Sequence, residues 1–423
     1  MWNKTLRVAL AFCLVCLAAQ AQRHRILDPN IRTLTVEAGE DGGSLPIITL
    51  DGDDALLIGF DEMTHEFSRF LYRIEHLDCD FQPTNDLFDS EYVQSAAEEE
   101  VIEDFEPSYG VITNYTHYSL TFPNDRMRPL VSGNYRLTIR RDEDDDEDHP
   151  VAVVYFGVID EKTSIALEAT TNTDIDFQNA HQQLAMAVDL GNLLVRNPLA
   201  EVKTIVLQNR RWDNAVLNPE PTSIREGMLV WSHCEDLIFN AGNEFHSFEM
   251  LSTRYPGMHL ETLRWQPAIN AYRAELFPDQ AARNYLRIDD RNGQYVCNCD
   301  DGDDPDVQSE YAYVHFTLQA DEVPDADVFI DGWWTHNRFT RDNRMEYNAE
   351  SGAYEADLYL KLGYYNYQYL TLSRQNPIPA QTAPLQGDFY QTENEYTVLV
   401  YYRRQGDRYW QLVGATCQSY RPR

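Results

Sequence analysis

Several things are scarce in this chain, and each scarcity removes a class of function. Basic residues are few: 34 Lys and Arg stand against 69 Asp and Glu, for a formal net charge of −35. Nucleic acid and anionic lipid surfaces would be repelled, so neither is expected as a partner. Catalytic signatures are missing: there is no G-x-S-x-G elbow, no H-E-x-x-H and no Gly-rich phosphate loop. Cysteines number 7, and Cys13 and Cys16 lie in the N-terminal apolar run. The remainder, Cys79, Cys234, Cys297, Cys299 and Cys417, is an odd set at irregular spacing and makes no disulfide framework. Cys297 and Cys299 form a lone C-x-C, too little for a zinc site. Helical periodicity is hard to find anywhere in the chain.

The start of the chain reads as a targeting segment. Lys4 and Arg7 precede the apolar run Val8–Ala19, and the small-residue site "AQA" precedes Gln22. The run is shorter than the roughly 20 residues of a bilayer span, so residues 1–21 are expected to be a removed signal peptide and not an anchor. No later stretch is apolar and long enough to span. An exported protein without a membrane span is the expectation.

What fills the chain is strand pattern. Apolar and polar residues alternate between turn clusters, every 8 to 14 positions or so, as in sandwiches. The expected fold class is all-β, a series of immunoglobulin-like or early-set β-sandwich domains. The expected divisions are 22–159, 160–304 and 305–423. The first block holds "LLIGFDEM", "FLYRIEHLDCDFQP", "THYSLTFPN" and "SGNYRLTIRR", and closes on "VAVVYFGVID". An acidic tip from Asp142 to Asp148 is expected to be a solvated loop. In the second block Asn292-Gly293 reads as a hairpin turn. "CDDGDDPD" fails the calcium-loop pattern, because Cys297 and Cys299 fall at ligand positions and Gln308 stands where the glutamate belongs. It reads as a polar interdomain linker. The third block holds "EYAYVHFTLQA", which alternates cleanly, and "GAYEADLYLKLGYYNYQYL".

Candidate chemistry is thin. His76, Asp78 and Asp80 share one face of a strand, but polar side chains bonded to backbone explain them as well as a metal does. Glu103, Asp104 and Glu106 offer carboxylate pairs in a chain where carboxylates are everywhere. Asn114 opens a formal glycosylation sequon. The tyrosines of the third block pose a sharper choice. Tyr365, Tyr367 and Tyr369 point to one side of a strand, and Tyr364, Asn366 and Gln368 to the other. Cross-strand aromatic packing suffices to explain them, at roughly 0.2–1 kcal/mol per pair. A sugar platform or partner surface rests instead on Trp333 and Trp334 at a loop entry. With Phe339 they are the candidate binding residues.

Two resemblances carry the reading further. Gly352, Ala353, Tyr354, Leu358, Leu360, Gly363, Tyr365 and Tyr367 resemble the hairpin of early-set glycogen- and starch-binding modules. The preceding turn "DGWWTHNRF" lacks their Phe-Asn pair. Across nearly the whole chain, "FLYRIEHLDCDFQPT", "EDFEPSYGVITNYTHYSLTFPND", "NPLAEVKTIVLQNRRWDNA", "FNAGNEFHSFE", "MEYNAESGAYEADLYLKLGYYNYQY" and "TENEYTVLVYYR" resemble the plug protein family of the type IX secretion system of Bacteroidota. The family reads His-Cys-Asp-Ala-Asp-Trp where this chain has His76 to Phe81 with its cysteine at 79. A cysteine that moves argues against metal or redox work for it. The resemblance implies a non-enzymatic periplasmic protein without cofactor. It would bind the large outer-membrane β-barrel translocon from its inner face and block the pore when no substrate is engaged. The alternatives are a carbohydrate-binding protein using the third block, and a hydrolase with its site in an interdomain cleft.

Overall fold

The computed structural model describes residues 23–39, 43–142 and 149–422. The expected leader, and residues 143–148 of the acidic tip, lie outside the described residues. Almost every described element is a strand, and the few helices are single turns such as Asp89–Tyr92 and Pro305–Gln308.

Period-two patterning decides the faces. In strand Tyr311–Gln319 the residues Ala312, Val314, Phe316 and Leu318 are buried, while Tyr313 and Gln319 face out. Strands apolar on both faces are buried on both faces. In Ala152–Ile159, Val154, Phe156 and Val158 enter one core, and Val153 and Tyr155 enter another.

Three sandwiches result. In the first, a four-stranded sheet (Ile31–Ala38, Leu56–Glu62, Thr116–Phe122, Asp104–Pro107) packs on strands Phe70–Leu77, Gly133–Arg141 and Ala152–Ile159. Its core holds Phe60, Phe70, Tyr118, Tyr135 and Phe156. In the second, a five-stranded sheet that includes Ser164–Thr170, His181–Asp189 and Met228–Trp231 faces Val202–Gln208, Asn394–Tyr402 and Gln411–Tyr420. The third is a ten-stranded sheet whose strands His246–Met250, Gly363–Ser373, Ala326–Asp331 and Tyr311–Gln319 meet around Phe248, Phe316, Tyr365, Tyr367 and Tyr369.

The pairing corrects the serial boundaries 160–304 and 305–423. Strand Val202–Gln208 pairs along its whole length with residues 396–402 of strand Asn394–Tyr402, so the end of the chain returns to the second sandwich. Strands His246–Met250 and Tyr295–Cys297 pair with Gly363–Ser373, and Ala271–Leu276 pairs with Tyr311–Gln319. The third sandwich, 246–373, is therefore nested within the second. The physical cause lies in "YTVLVYY". Val398, Val400 and Tyr402 enter the second core, while Leu399 and Tyr401 enter the joint with the first sandwich. Such a strand is stable only in mid-sheet. The same sheet runs on into the first sandwich through a parallel contact of Ile159 with Leu412.

Two local expectations also change. Asn292 and Gly293 adopt φ of 50° and 91°, and Gln294 N–H bonds Arg291 O at 3.1 Å, so the turn forms. No hairpin follows, because Tyr295–Cys297 pairs with the longer and more apolar strand Gly363–Ser373. The segment "CDDGDDPD" is a strap more than a free linker. Asp301 accepts from Ser252 Oγ at 2.7 Å and from Thr253 N–H at 2.8 Å, and Val307 is buried.

Candidate functional site at the junction of the three sandwiches

The third sandwich reaches the other two through the loop that follows strand Ala326–Asp331. Gly332 opens it because a Cβ there would stand 2.5 Å from Asn366 O and from Trp334 Nε1. The glycine lets Trp334 lie against its own sheet. Its indole N–H donates to Asn366 O at 2.9 Å, and its ring meets Tyr365 edge-on at 5.6 Å. Trp333 turns toward the second sandwich, where the Arg210 guanidinium lies 3.7 Å from its ring centre. Phe339 packs on Phe329 at 5.3 Å, and the Arg23 guanidinium stands over it at 5.7 Å. Cation–π contacts of this kind are worth about 0.5–2 kcal/mol each. The structure thus places Trp333, Trp334 and Phe339 on one loop, each half-buried and engaged within the molecule. They form no open row of rings on which a sugar would stack.

The tyrosines of strand Gly363–Ser373 are equally inward. Tyr367 and Tyr369 are buried and both donate to Asp279 Oδ2, at 2.7 and 2.6 Å. His246 and His259 approach Asp279 Oδ1 at 3.1 and 3.2 Å. Burial opposes the charge on Asp279, but the neighbouring His246 and these bonds hold its carboxyl below the usual range. Asn366 and Gln368, on the other face, are buried too, and Gln368 donates to Asp331 Oδ2 at 3.1 Å. The hairpin has no free face at this point.

Buried polar contacts lock the sandwiches together. Between first and third, Lys361 Nζ meets Asp61 Oδ2 at 2.7 Å, with both side chains shut off from water. Tyr311 O–H donates to the same oxygen at 2.6 Å, and His117 Nδ1 lies 2.6 Å from Asp61 Oδ1. The Lys361 ammonium stands 4.4 Å from the Tyr115 ring centre. Glu310 accepts the backbone N–H of Ile112 at 2.5 Å and of Thr113 at 3.1 Å. Between second and third, Asn337 Oδ1 accepts from Trp212 N–H and Asp213 N–H, while Asp213 is paired to Arg211 at 2.7 Å. Between first and second, Tyr401 O–H donates to Asn134 Oδ1 at 3.0 Å.

The remaining sequence candidates resolve as ordinary structure. His76 is buried with Nδ1 2.8 Å from Thr84 Oγ1, and burial pushes its imidazole down to about 4. Asp78 accepts from Trp410 N–H at 3.2 Å, and Asp80 from Gln82 N–H at 3.2 Å. Among the described residues, no group of His, Cys, Asp and Glu has the arrangement to hold a metal ion. Sequence reasoning missed Asp61, Glu310, Lys361 and Asn337. Lys361 had a signal: a buried cation closing the strand Ala353–Lys361, just before the tyrosine-rich strand Gly363–Ser373.

The comparisons with known proteins follow the same lines. Residues 31–160, the first sandwich, match the family described as "Type 9 secretion system plug protein 1st domain". The crystal structure of a hypothetical protein from Parabacteroides merdae is similar over 95% of this chain and 100% of its own, at 34% identity and a TM-score of 0.90. No curated protein matches. Among the described residues, no helix is long and apolar enough to cross a membrane. The chain belongs to the type 9 secretion system plug protein family, and its role lies in type 9 secretion.

Proposed function

We propose that the protein is a non-enzymatic periplasmic plug. It binds the inner mouth of the outer-membrane translocon barrel and obstructs the pore when no substrate is engaged. The observation that carries the reading is the locking of three sandwiches by buried polar contacts, above all Asp61 with Lys361 and Glu310 with the 112–113 backbone. A body meant to obstruct a wide pore must resist shear between its parts. Contacts that lose their geometry when one sandwich slides supply that resistance. Release then depends on the outer surface alone. A polar interface near the lower end of the roughly 1,200–2,000 Å² of stable complexes would suit repeated docking. The family supports the partner class, and the inward-facing aromatics remove the main argument for a saccharide ligand.

The test is affinity capture of the tagged protein from gently solubilised outer membranes. Recovery of a large β-barrel is expected. Cells lacking the protein should also admit large hydrophilic antibiotics through idle translocons. A capture that never retains a barrel, with permeability unchanged in the deletion strain, would end the proposal.

A further inference from the structure

The three sandwiches do not close completely where they meet. They leave a cavity of about 170 Å³. Its walls are largely apolar and include Phe81, Phe156, Leu207, Trp212 and Leu412. Polar groups also line it, and they are unequal in how well they are satisfied. Arg211 is spent on Asp213 and on Ala380 O. Arg210 bonds Glu395 and the backbone of Gly43 and Ser44. His24 accepts from Tyr155 N–H at 3.1 Å, and burial pushes its imidazole down to about 4, so it adds no charge. Arg23 is different. It is 6% exposed, and its Nε and Nη2 have no hydrogen-bond partner. Trp333, which also lines the cavity, has its Nε1 likewise buried and unpartnered.

Every unsatisfied buried side-chain group among the described residues lining this cavity is therefore a donor. Burial pushes the Arg23 guanidinium below its ordinary value; Asp213 and Asp331 oppose this from nearby, but their oxygens accept from other groups. The acidic wall residue Glu37 is pushed toward its neutral form, chiefly by burial. What the cavity lacks is an acceptor, and a guanidinium fork selects a planar one with two oxygens. We propose that the junction cavity is a binding site for a small organic carboxylate. The carboxylate is held by Arg23 with help from the Trp333 indole, and the apolar body rests on the aliphatic and aromatic walls. The volume sets the size, since a cavity of about 150 Å³ takes one benzene ring. The ligand class is a monocarboxylic acid with one six-membered ring or a short branched chain.

Titration calorimetry on the purified full chain tests this with benzoate, cyclohexanecarboxylate and 4-methylpentanoate. Benzamide and cyclohexanol serve as neutral counterparts. At least one acid should bind with one-to-one stoichiometry, and the neutral compounds should not. Arg23→Gln should weaken that binding by about tenfold or more, and Arg23→Lys, which keeps charge without the fork, by less. Trp333→Phe keeps the ring under Arg210 and should weaken it a few-fold, so the proposal stays testable if an Arg23 variant misfolds. Three results each overturn the site: no acid binding up to about 10 mM, a range that detects even contacts weaker than about 4 kcal/mol; neutral compounds binding equally; or affinity unchanged across the Arg23 and Trp333 variants.

Discussion

Replacing Lys361 by Met is the most direct probe of how the sandwiches are held together. The pair with Asp61 has its side chains 2% and 0% exposed, so neither charge is screened by solvent. Breaking a buried pair from one side costs about 3–5 kcal/mol, because the remaining charge stays buried without compensation. Asp61 would keep Tyr311 O–H and His117, which argues for the low end, near 3 kcal/mol. The size of the melting shift then reports cooperativity. At about 2.1 cal/mol/K per residue, a body of roughly 400 residues melting together has an unfolding entropy near 0.8 kcal/mol/K, and Tm falls by about 4 °C. A single sandwich of roughly 130 residues melting alone would lose about 10 °C. Calorimetry separates these cases, and amide exchange shows whether Leu56–Glu62 and Ala353–Lys361 loosen together. Adding Asp61→Leu should recover much of the loss, since it removes the stranded charge. A loss under about 1 kcal/mol, or loosening confined to the third sandwich, would refute the lock.

Other perturbations follow from the same geometry. Tyr367→Phe removes one of the two hydroxyls on Asp279 and should cost about 1.5–3 kcal/mol in urea unfolding, as expected for a bond to a charged acceptor; a neutral result would mean the hydroxyl is idle. Glu244 is raised from about 4.5 to about 7, first by burial and then by Asp290, despite the bond it receives from Tyr285. Its folded form favours the proton, so its contribution is complete below pH 4.5 and is lost as pH rises through 7. Tm should therefore fall between about pH 5 and pH 8, and Glu244→Gln should flatten that fall. A slope unchanged in the variant would discard the assignment. Trp334→Ala should cost about 2–3 kcal/mol, less than the roughly 3–5 of a fully buried ring. Glycogen affinity electrophoresis of the unmodified protein should show no retardation, and a clear retardation would restore the saccharide reading.

The strand content was open to sequence reading because alternation is local. "EYAYVHFTLQA" needs only its own residues to declare one buried face, and the inward tyrosines follow from the same period. The nesting was not readable. Nothing in "YTVLVYY" tells which edge it will join, since the preference of a two-faced apolar strand for mid-sheet is satisfied equally by any open edge. The sandwich lock was hidden for a related reason. Asp61 and Lys361 each sit at or near the end of a strand that carries other charges too, and only the fold brings together partners so far apart in sequence. Asn292-Gly293 shows the opposite failure, where a strong local turn formed but longer-range pairing chose the strand partner.

The return of Asn394–Tyr402 to the strand Val202–Gln208 has a consequence for biogenesis. A chain made from its N-terminus can complete the first sandwich early, whereas the second must wait until residues 394–420 have emerged. During that wait Val202–Gln208 presents an unsatisfied hydrogen-bonding edge, the kind of template that invites wrong partners. A chain stopped short of residue 394 would therefore lose far more than a tail. It would leave half a sandwich standing open beside two finished ones, a natural substrate for envelope quality control.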